Sequence, residues 1–183
     1  HRGHGPDVAP SPPPPVSAIV RPDDAEPLRG HVGEVAVWRH RAGALQLLPS
    51  AQTALHVELA HREWEIFAIA PVVTVRAAAP AAVRFAPIGL GEMLNAGGAI
   101  IDCELRADDD GVRAELTCRG PGRLIAFADP APSAVTVSGP GGSVVAPFAH
   151  NAATGTLTVE LGAEQYRPDE SDGATARVIF EWR

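Results

Sequence analysis

Paired carboxylates are the side chains in this sequence best suited to catalysis, because two of them can serve as nucleophile and general acid in glycoside cleavage. Asp102 and Glu104 stand two residues apart, and a run of three aspartates follows at residues 108 to 110. A retaining glycosidase holds its two carboxyl groups about 5 to 5.5 Å apart across an enclosed sugar pocket. The surrounding pattern predicts a solvent-exposed strand face and a turn instead, so we predict no catalytic residue here.

A β-hairpin around Asp110-Gly111 is the element that the sequence specifies most completely. If these residues form a two-residue turn with positive φ at both positions, paired residues across the strands have numbers that sum to 221. One face then carries only apolar or small side chains: Ile101, Cys103, Leu105, Ala107, Val112, Ala114, Leu116 and Cys118. The other face carries three opposite-charge pairs: Asp108 with Arg113, Arg106 with Glu115, and Asp102 with Arg119. A slip of one residue would bury these charges, so they are predicted to face solvent.

The same register places Cys103 opposite Cys118, with both side chains inside. As a hydrogen-bonded pair their Cα atoms would lie about 5.5 Å apart, which leaves a disulfide within geometric reach. Reduced and buried thiols are nevertheless the prediction, since no secretion signal is visible and reducing compartments disfavour disulfides. The sequence has no Cys-x-x-Cys pair and no histidine beside either cysteine, which argues against thiol catalysis and metal binding.

Glycines form the next group of candidates, between two apolar strands. The four residues are Gly89, Gly91, Gly97 and Gly98. A glycine-rich loop can hold a phosphate when Lys-Ser/Thr and a helix follow it, and neither follows here. A backbone with unusual φ angles is therefore the better interpretation.

Histidines and tryptophans complete the candidates. The possible bases are His40, His56 and His61, and the possible sugar-stacking rings are Trp38, Trp64 and Trp182. No nucleophile motif such as Gly-x-Ser-x-Gly accompanies the histidines, and tryptophan in a short strand is usually half-buried packing. His1 and His4 lack the further ligands that a metal site needs. We therefore predict no catalytic, cofactor-binding or metal-binding residue.

The order of apolar runs predicts an all-β fold. From Gly33 onward, short apolar or alternating runs recur between Gly, Pro and Asp, which is typical of an antiparallel β-sandwich. We expect strands between residues 33 and 182, with a single helical turn around Leu90 to Leu94. Residues 1 to 16 form a proline-rich tail that is predicted to be disordered or in polyproline II, and residues 17 to 183 form the sandwich domain.

The charge balance restricts the partners. The net charge is −7 with a pI near 5.4, and all fifteen basic residues are arginines. Neither nucleic acid nor an anionic membrane is expected to bind, because both attract clustered positive charge. With no apolar run of about 18 residues and no leader, we expect a soluble cytoplasmic protein, with a plastid as the alternative location. The chain begins at His1 and its single methionine is Met93, so we expect a fragment.

Three blocks of the sequence resemble one known family. Residues 84 to 100 run from Arg-Phe-Ala-Pro-Ile-Gly-Leu-Gly to Met-Leu-Asn-Ala-Gly-Gly-Ala-Ile. Residues 40 to 49 begin with His-Arg-Ala-Gly and end with Leu-Pro, and residues 63 to 71 read Glu-Trp-Glu-Ile-Phe-Ala-Ile-Ala-Pro. With these blocks the chain resembles the C-terminal region of the raffinose synthase and seed imbibition proteins, in glycoside hydrolase family thirty-six. It departs from the family pattern at Ala42 and Ala44, where the family has Thr and Glu.

The resemblance implies a longer parent protein in which a different domain performs catalysis. The family's catalytic carboxylates lie on a preceding (β/α)₈ barrel, a fold that needs roughly 250 residues. The implied parent transfers an α-galactosyl group from galactinol to sucrose, giving raffinose, or to water in the alkaline α-galactosidase members. This chain would then be the noncatalytic β-sandwich that supports the barrel, inactive alone and without a cofactor.

The alternative is a free-standing carbohydrate-binding or structural module. A groove lined by exposed Trp38 or Trp64 would favour sugar binding by such a module. An exposed apolar face, expected near residues 85 to 94, would favour a missing barrel partner.

Overall fold

The computed structural model describes residues 13 to 77, 82 to 140, 142 to 166 and 175 to 183. It confirms the all-β class and the antiparallel sandwich. The predicted N-terminal tail lies largely outside the described residues. Its last position, Val16, already belongs to a strand. No helix in the described ranges is long and apolar enough to cross a membrane.

Short strands make up most of the described chain. They are β1 (Val16–Val20), β2 (Val35–Arg39), β3 (Ala44–Leu48), β4 (Leu55–Leu59), β5 (Phe67–Pro71), β6 (Val73–Val75), β7 (Val83–Leu90), β8 (Ile100–Asp108), β9 (Gly111–Arg119), β10 (Gly122–Asp129), β11 (Ala134–Gly139), β12 (Gly142–Val145), β13 (Phe148–Asn151), β14 (Thr156–Leu161) and β15 (Thr175–Trp182). Short 3₁₀ turns occupy Pro22–Asp24, Glu26–Leu28, Ala96–Ala99 and Ala163–Gln165. The helical turn expected around Leu90 is only a hydrogen-bonded turn, in which the Met93 amide donates to the Leu90 carbonyl at 3.1 Å.

Two five-stranded antiparallel sheets face each other across the main core. Their strand orders are β13-β14-β10-β7-β6 and β12-β11-β15-β9-β8. Along β9 and β15 alternate residues are buried, so each strand turns one apolar side inward. Phe85 meets Phe180 and Trp182 at the centre, with ring centroids 5.3 and 5.7 Å apart. Such aromatic contacts add specific geometry to the area that they bury.

A smaller sheet, ordered β3-β2-β5, covers the outer side of β7 and β10. Ile88 and Phe127 pack there against Trp38 and Leu45. In β7 the register against β10 shifts at Ile88, which acts as an extra residue and returns Leu90 to the main core. Both faces of β7 are therefore buried, which explains its nearly continuous apolar sequence.

A two-stranded sheet of β1 and β4 adds the outermost layer. Strand β1 was not predicted from the sequence, although it pairs with β4 over five residues. A third apolar cluster, with Val35, Val37 and Leu55 at its centre, lies on the other side of β2. Thus β2 is buried on both faces, and its alternate residues contribute to two separate cores.

The β8–β9 hairpin has a different register from the predicted one. Paired residues sum to 219 rather than 221, since Arg106 lies opposite Arg113 and Glu104 lies opposite Glu115. The predicted opposite-charge pairs are therefore wrong as direct partners. A shift of two residues keeps the side chains from Asp102 onward on their predicted faces, and Asp102 and Arg106 are exposed as expected. The expectation that Ile101 and Ala107 lie inside is wrong, since both are exposed and Ile100 packs against the core instead.

The turn itself consists of Asp109 and Asp110, neither of which has positive φ. The positive φ of 139° belongs to the next residue, Gly111, where a Cβ atom would stand 2.0 Å from the Trp182 carbonyl oxygen. The Asp108 carboxylate closes the turn by accepting a 2.9 Å hydrogen bond from the Asp110 amide. Gly111 is thus required by the close passage of β15, and not by the turn type that predicted the register.

Candidate functional site

Two of the sequence blocks meet at one end of the β2–β5 layer. The turn after β2 carries His40 and Arg41, and the loop before β5 carries Glu63 to Glu65. The His40 amide donates to the Ile66 carbonyl at 2.9 Å. The Glu65 side chain is only 5% exposed and accepts a 2.8 Å hydrogen bond from the Arg41 amide. These contacts join the two loops into one unit.

A second carboxylate strengthens this unit. Glu63 accepts hydrogen bonds from the Arg41 guanidinium at 2.6 Å and from the Ala60 amide at 2.8 Å. The hydrogen bond from Arg41 lowers the pKa of Glu63, and the same bond raises the pKa of Arg41. Arg62, in the turn between Ala60 and Glu63, has a φ of 66°, which is unusual for a residue with a side chain. Both carboxylates of this motif therefore hold the loop and are not free for catalysis.

Trp64 stands between these two carboxylates and is 47% exposed. Its ring lies 5.9 Å from the His40 ring, at an angle of 31°. The Nδ1 atom of His40 is buried without a hydrogen-bond partner, so no group of the described chain orients it as a base. Trp38 and Trp182 are buried, as the packing interpretation predicts. Trp64 remains the exposed aromatic surface of the motif.

A groove lies between the β3 edge and the loops that follow β10 and β13. Its volume is 610 Å³. At its side, Arg84 donates twice to Glu34, at 3.1 and 2.7 Å, and once to Asp129 at 2.9 Å. The guanidinium also lies 5.3 Å from the centroid of the Phe127 ring. Arg84 is thereby fixed by two carboxylates and an aromatic ring.

Polar groups continue along this groove. His150 Nε2 lies 2.9 Å from the Ala128 carbonyl oxygen, and the Thr154 and Thr156 hydroxyl oxygens are 2.7 Å apart. Sequence reasoning missed this site, because its residues come from separate segments with no common motif. The Thr154-Gly-Thr156 turn was the only local signal that polar groups cluster here.

The carboxylates of the β8–β9 hairpin are on the solvent face. Glu104 pairs with Arg106, and Glu115 accepts from Arg177 at 2.8 Å. The hydrogen bond from Arg106 lowers the pKa of Glu104. A general acid of a glycosidase needs a raised pKa, so this arrangement is the opposite of a catalytic one. The described residues contain no cluster of His, Cys, Asp and Glu that could hold a metal ion.

The two cysteines are free thiols in different environments. Cys103 lies opposite Leu116 and not opposite Cys118, because the pairing of β8 with β9 is shifted and irregular near Ile100. Cys118 is buried, whereas Cys103 is exposed, so the prediction that both lie inside is wrong. Desolvation raises the pKa of Cys118 to about 12 and that of Cys103 to about 11. Neither is an activated nucleophile.

The glycine-rich stretch is a packing device. Gly89 has a φ of 117°, and a Cβ atom there would stand 1.8 Å from the Ala96 carbonyl oxygen. The loop continues into a 3₁₀ turn of four residues, Ala96–Ala99, which is too short to offer a phosphate a helix N-terminus. The interpretation as a backbone with unusual φ angles is confirmed at Gly89. It is wrong for Gly91, Gly97 and Gly98, none of which has a positive φ.

The fold and these sites define an all-β domain in which the carboxylates Glu63 and Glu104 are held in ion pairs. Comparison with known proteins gives its family. The model of "Raffinose synthase or seed imbibition protein Sip1" matches residues 16 to 161. The chain therefore belongs to the raffinose synthase and seed imbibition protein family.

Its curated relatives are much longer than this chain. A galactinol–sucrose galactosyltransferase of Oryza sativa subsp. japonica is 35% identical over 68% of this chain and 16% of its own length. A probable galactinol–sucrose galactosyltransferase of Arabidopsis thaliana is 32% identical over 82% of this chain and 20% of its own length. A stachyose synthase of Pisum sativum is 26% identical over 60% of this chain and 12% of its own length. The chain thus spans about a fifth or less of these relatives.

Proposed function

We propose that this chain is the noncatalytic β-sandwich of a galactosyltransferase-type protein and that it packs against the part of its parent that performs catalysis. Family membership and the names of the relatives support galactinol as donor and sucrose as acceptor in that parent. The ion-paired carboxylates described above support a noncatalytic role for this domain. The free thiols are consistent with a reducing location such as the cytoplasm.

An incomplete edge of the sandwich carries this proposal. Strand β6 has only three residues and lies against β8, which has nine. Val73 and Ile101 are each 50% exposed, Cys103 is exposed, and Leu105 is partly buried against the main core. We name these four residues the β6–β8 seam. An apolar seam at the edge of the core is the kind of surface that a packed partner covers.

The predicted docking surface at residues 85 to 94 is smaller than expected. Phe85, Ile88 and Leu90 are buried inside the domain. Exposure is confined to the end of that stretch, where Met93 and Leu94 are 43% and 61% exposed. The seam is therefore the better candidate for the contact with the parent.

A hydrolase parent of the α-galactosidase type is the alternative, since family membership is compatible with water as acceptor. A free-standing carbohydrate-binding module is favoured by one observation, the half-exposed ring of Trp64. Both alternatives leave this domain without catalytic residues of its own.

A chimaera tests the proposal. This chain replaces the matching C-terminal region of the rice galactinol–sucrose galactosyltransferase, and raffinose formation from galactinol and sucrose is measured. We expect an active chimaera, an inactive rice protein that lacks the region, and no raffinose from the 183-residue chain alone. Activity of the isolated chain would overturn the noncatalytic assignment.

The seam is tested in the same chimaera. Ile101→Asp should lower activity at least about tenfold, because it would bury an unpaired charge in the contact. Val145→Asp is the matched control, since Val145 is 78% exposed on β12 at the opposite edge of the same sheet. Equal activity of the two variants would show that the parent docks elsewhere.

A further inference from the structure

The groove beside Arg84 continues into a second cavity. The first cavity has 610 Å³ and the second 420 Å³, and Leu45, His150 and Thr154 line both. The second cavity reaches Gly43, in the turn that also carries His40, and Ala44 at the start of β3. Together they form one elongated groove across the outer side of β13 and β14. The first cavity alone lies within the roughly 300 to 1,000 Å³ typical of small-molecule sites.

The charges of the groove disfavour an anionic ligand. Three nitrogen atoms of Arg84 already donate to Glu34 and Asp129, which together carry two negative charges against one positive charge. Asp129 uses Oδ2 for Arg84, and its side chain is 56% exposed, so its other oxygen is available as an acceptor. A phosphate would meet two carboxylates here, and the guanidinium beside them is already engaged.

The uncharged polar groups can both donate and accept. The Ala128 carbonyl can only accept, so His150 donates to it from Nε2, and the Nδ1 atom of the neutral ring is left as an acceptor. The hydroxyls of Thr154 and Thr156 bond to each other and keep further capacity for a ligand. Amides of Gln46 and Asn151 lie along the same groove. Such groups match the hydroxyls of a sugar, which also donate and accept.

Apolar groups line the rest of the groove. Leu45 and Leu47 come from the β3 edge, and Pro130 comes from the loop after β10. Sugars combine hydroxyl edges with C–H faces, so alternating polar and apolar walls favour them over a purely apolar ligand.

We propose that this groove binds a neutral oligosaccharide, with Asp129, His150 and Thr154 as its hydrogen-bonding residues. The choice of sugar rests on the proposed function, whereas the neutral, hydroxylated character of the ligand rests on the groove itself.

Binding is tested with the whole 183-residue chain, labelled with ¹⁵N and titrated with sucrose, raffinose and, separately, inorganic phosphate. We expect amide shifts for raffinose and sucrose concentrated in residues 128 to 131 and 149 to 158, with none for phosphate. Shifts confined to the Trp64 loop, phosphate binding at Arg84, or no binding of either sugar would each overturn the proposal.

Two variants sharpen the test. Ala153→Trp fills the mouth of the groove from an exposed turn, and Asp129→Asn removes one charged acceptor. Each should weaken sugar binding at least about tenfold, while Ala25→Trp, at an exposed position outside the groove lining, should change it less than about twofold. Unchanged binding in Ala153→Trp would place the sugar elsewhere. The chimaera assay reports on the parent's activity, so the two proposals can fail independently.

Discussion

Strand β7 and the β8–β9 hairpin follow each other in the chain but differ in how their side chains are constrained. Six of the eight residues of β7 are buried, and the strand lies between the main core and the β3-β2-β5 sheet. On β8 only Ile100 and Leu105 are partly buried, and the other residues are exposed. In β7, packing on both faces therefore restricts the size of each side chain and the shape of the backbone. In β8, the main restriction is that polar and apolar side chains alternate between the two faces.

This difference bears on where function resides. The tightly packed β7 lies in the longest block of family resemblance, residues 84 to 100, and its glycine serves packing. The surfaces proposed for binding lie at the margins of the packed layers, at Trp64, at the β6–β8 seam and at the groove beside Arg84. A resemblance whose longest block covers a packed strand thus indicates the fold more directly than it indicates a site.

The largest effect is expected at Gly89, in β7. Gly89→Ala would combine positive φ with a Cβ atom 1.8 Å from the Ala96 carbonyl oxygen, and we expect a loss of about 3 to 5 kcal/mol in unfolding free energy. Chemical denaturation would measure it. Gly120→Ala is the control, because Gly120 also has positive φ, 81°, but open space around it. That variant should cost only about 1 to 2 kcal/mol, and equal costs would disprove the close contact.

An intermediate effect is expected for the thiols of the hairpin. Cys103 is exposed, but the raised pKa of about 11 keeps it protonated. Because a more basic thiolate is also more nucleophilic, its alkylation near pH 8 should be about tenfold slower than for an ordinary thiol. Cys118 is buried and should react only after unfolding. Mass spectrometry of Cys103→Ser and Cys118→Ser separates the two rates.

Alkaline pH should weaken the fold through the same thiols. Because the folded pKa of Cys118, about 12, exceeds the unfolded value, its neutral thiol contributes stability below the unfolded pKa. That contribution is lost as pH rises through the folded pKa. Cys118→Ser should therefore flatten the fall in stability above about pH 9, and an unchanged slope would contradict this assignment.

The smallest change in stability is expected for an exchange of charges on β8. Its sign distinguishes the observed hairpin register from the register predicted from the sequence. The double exchange Glu104→Arg with Arg106→Glu would create opposite-charge pairs with Glu115 and Arg113 in the observed register. Stability should rise by about 0.4 to 2 kcal/mol, measured as a small increase in melting temperature. In the register predicted from the sequence, the new glutamate at position 106 would oppose Glu115 instead. A decrease in stability would therefore support that register.

Local patterns in the sequence were sufficient for the fold class and for the sides of the hairpin strands. Alternation along residues 101 to 119 correctly separated the exposed Asp102 and Arg106 from the buried Leu116. A two-residue change in register does not alter which face a side chain occupies, so the faces were predictable although the partners were not. Likewise, the family blocks identified the family without identifying a site.

Contacts between distant segments account for what could not be predicted. In the sequence, Gly111 suggested a tight turn. In the structure, glycine is required there because the Trp182 carbonyl, 71 residues further along the chain, leaves no space for a side chain. Arg84, Asp129 and His150 form one groove only because β7, β10 and β13 belong to the same sheet beneath the β3 edge. Side-chain alternation depends on neighbouring backbone geometry, whereas register and site assembly depend on which layers pack together to bury their apolar faces.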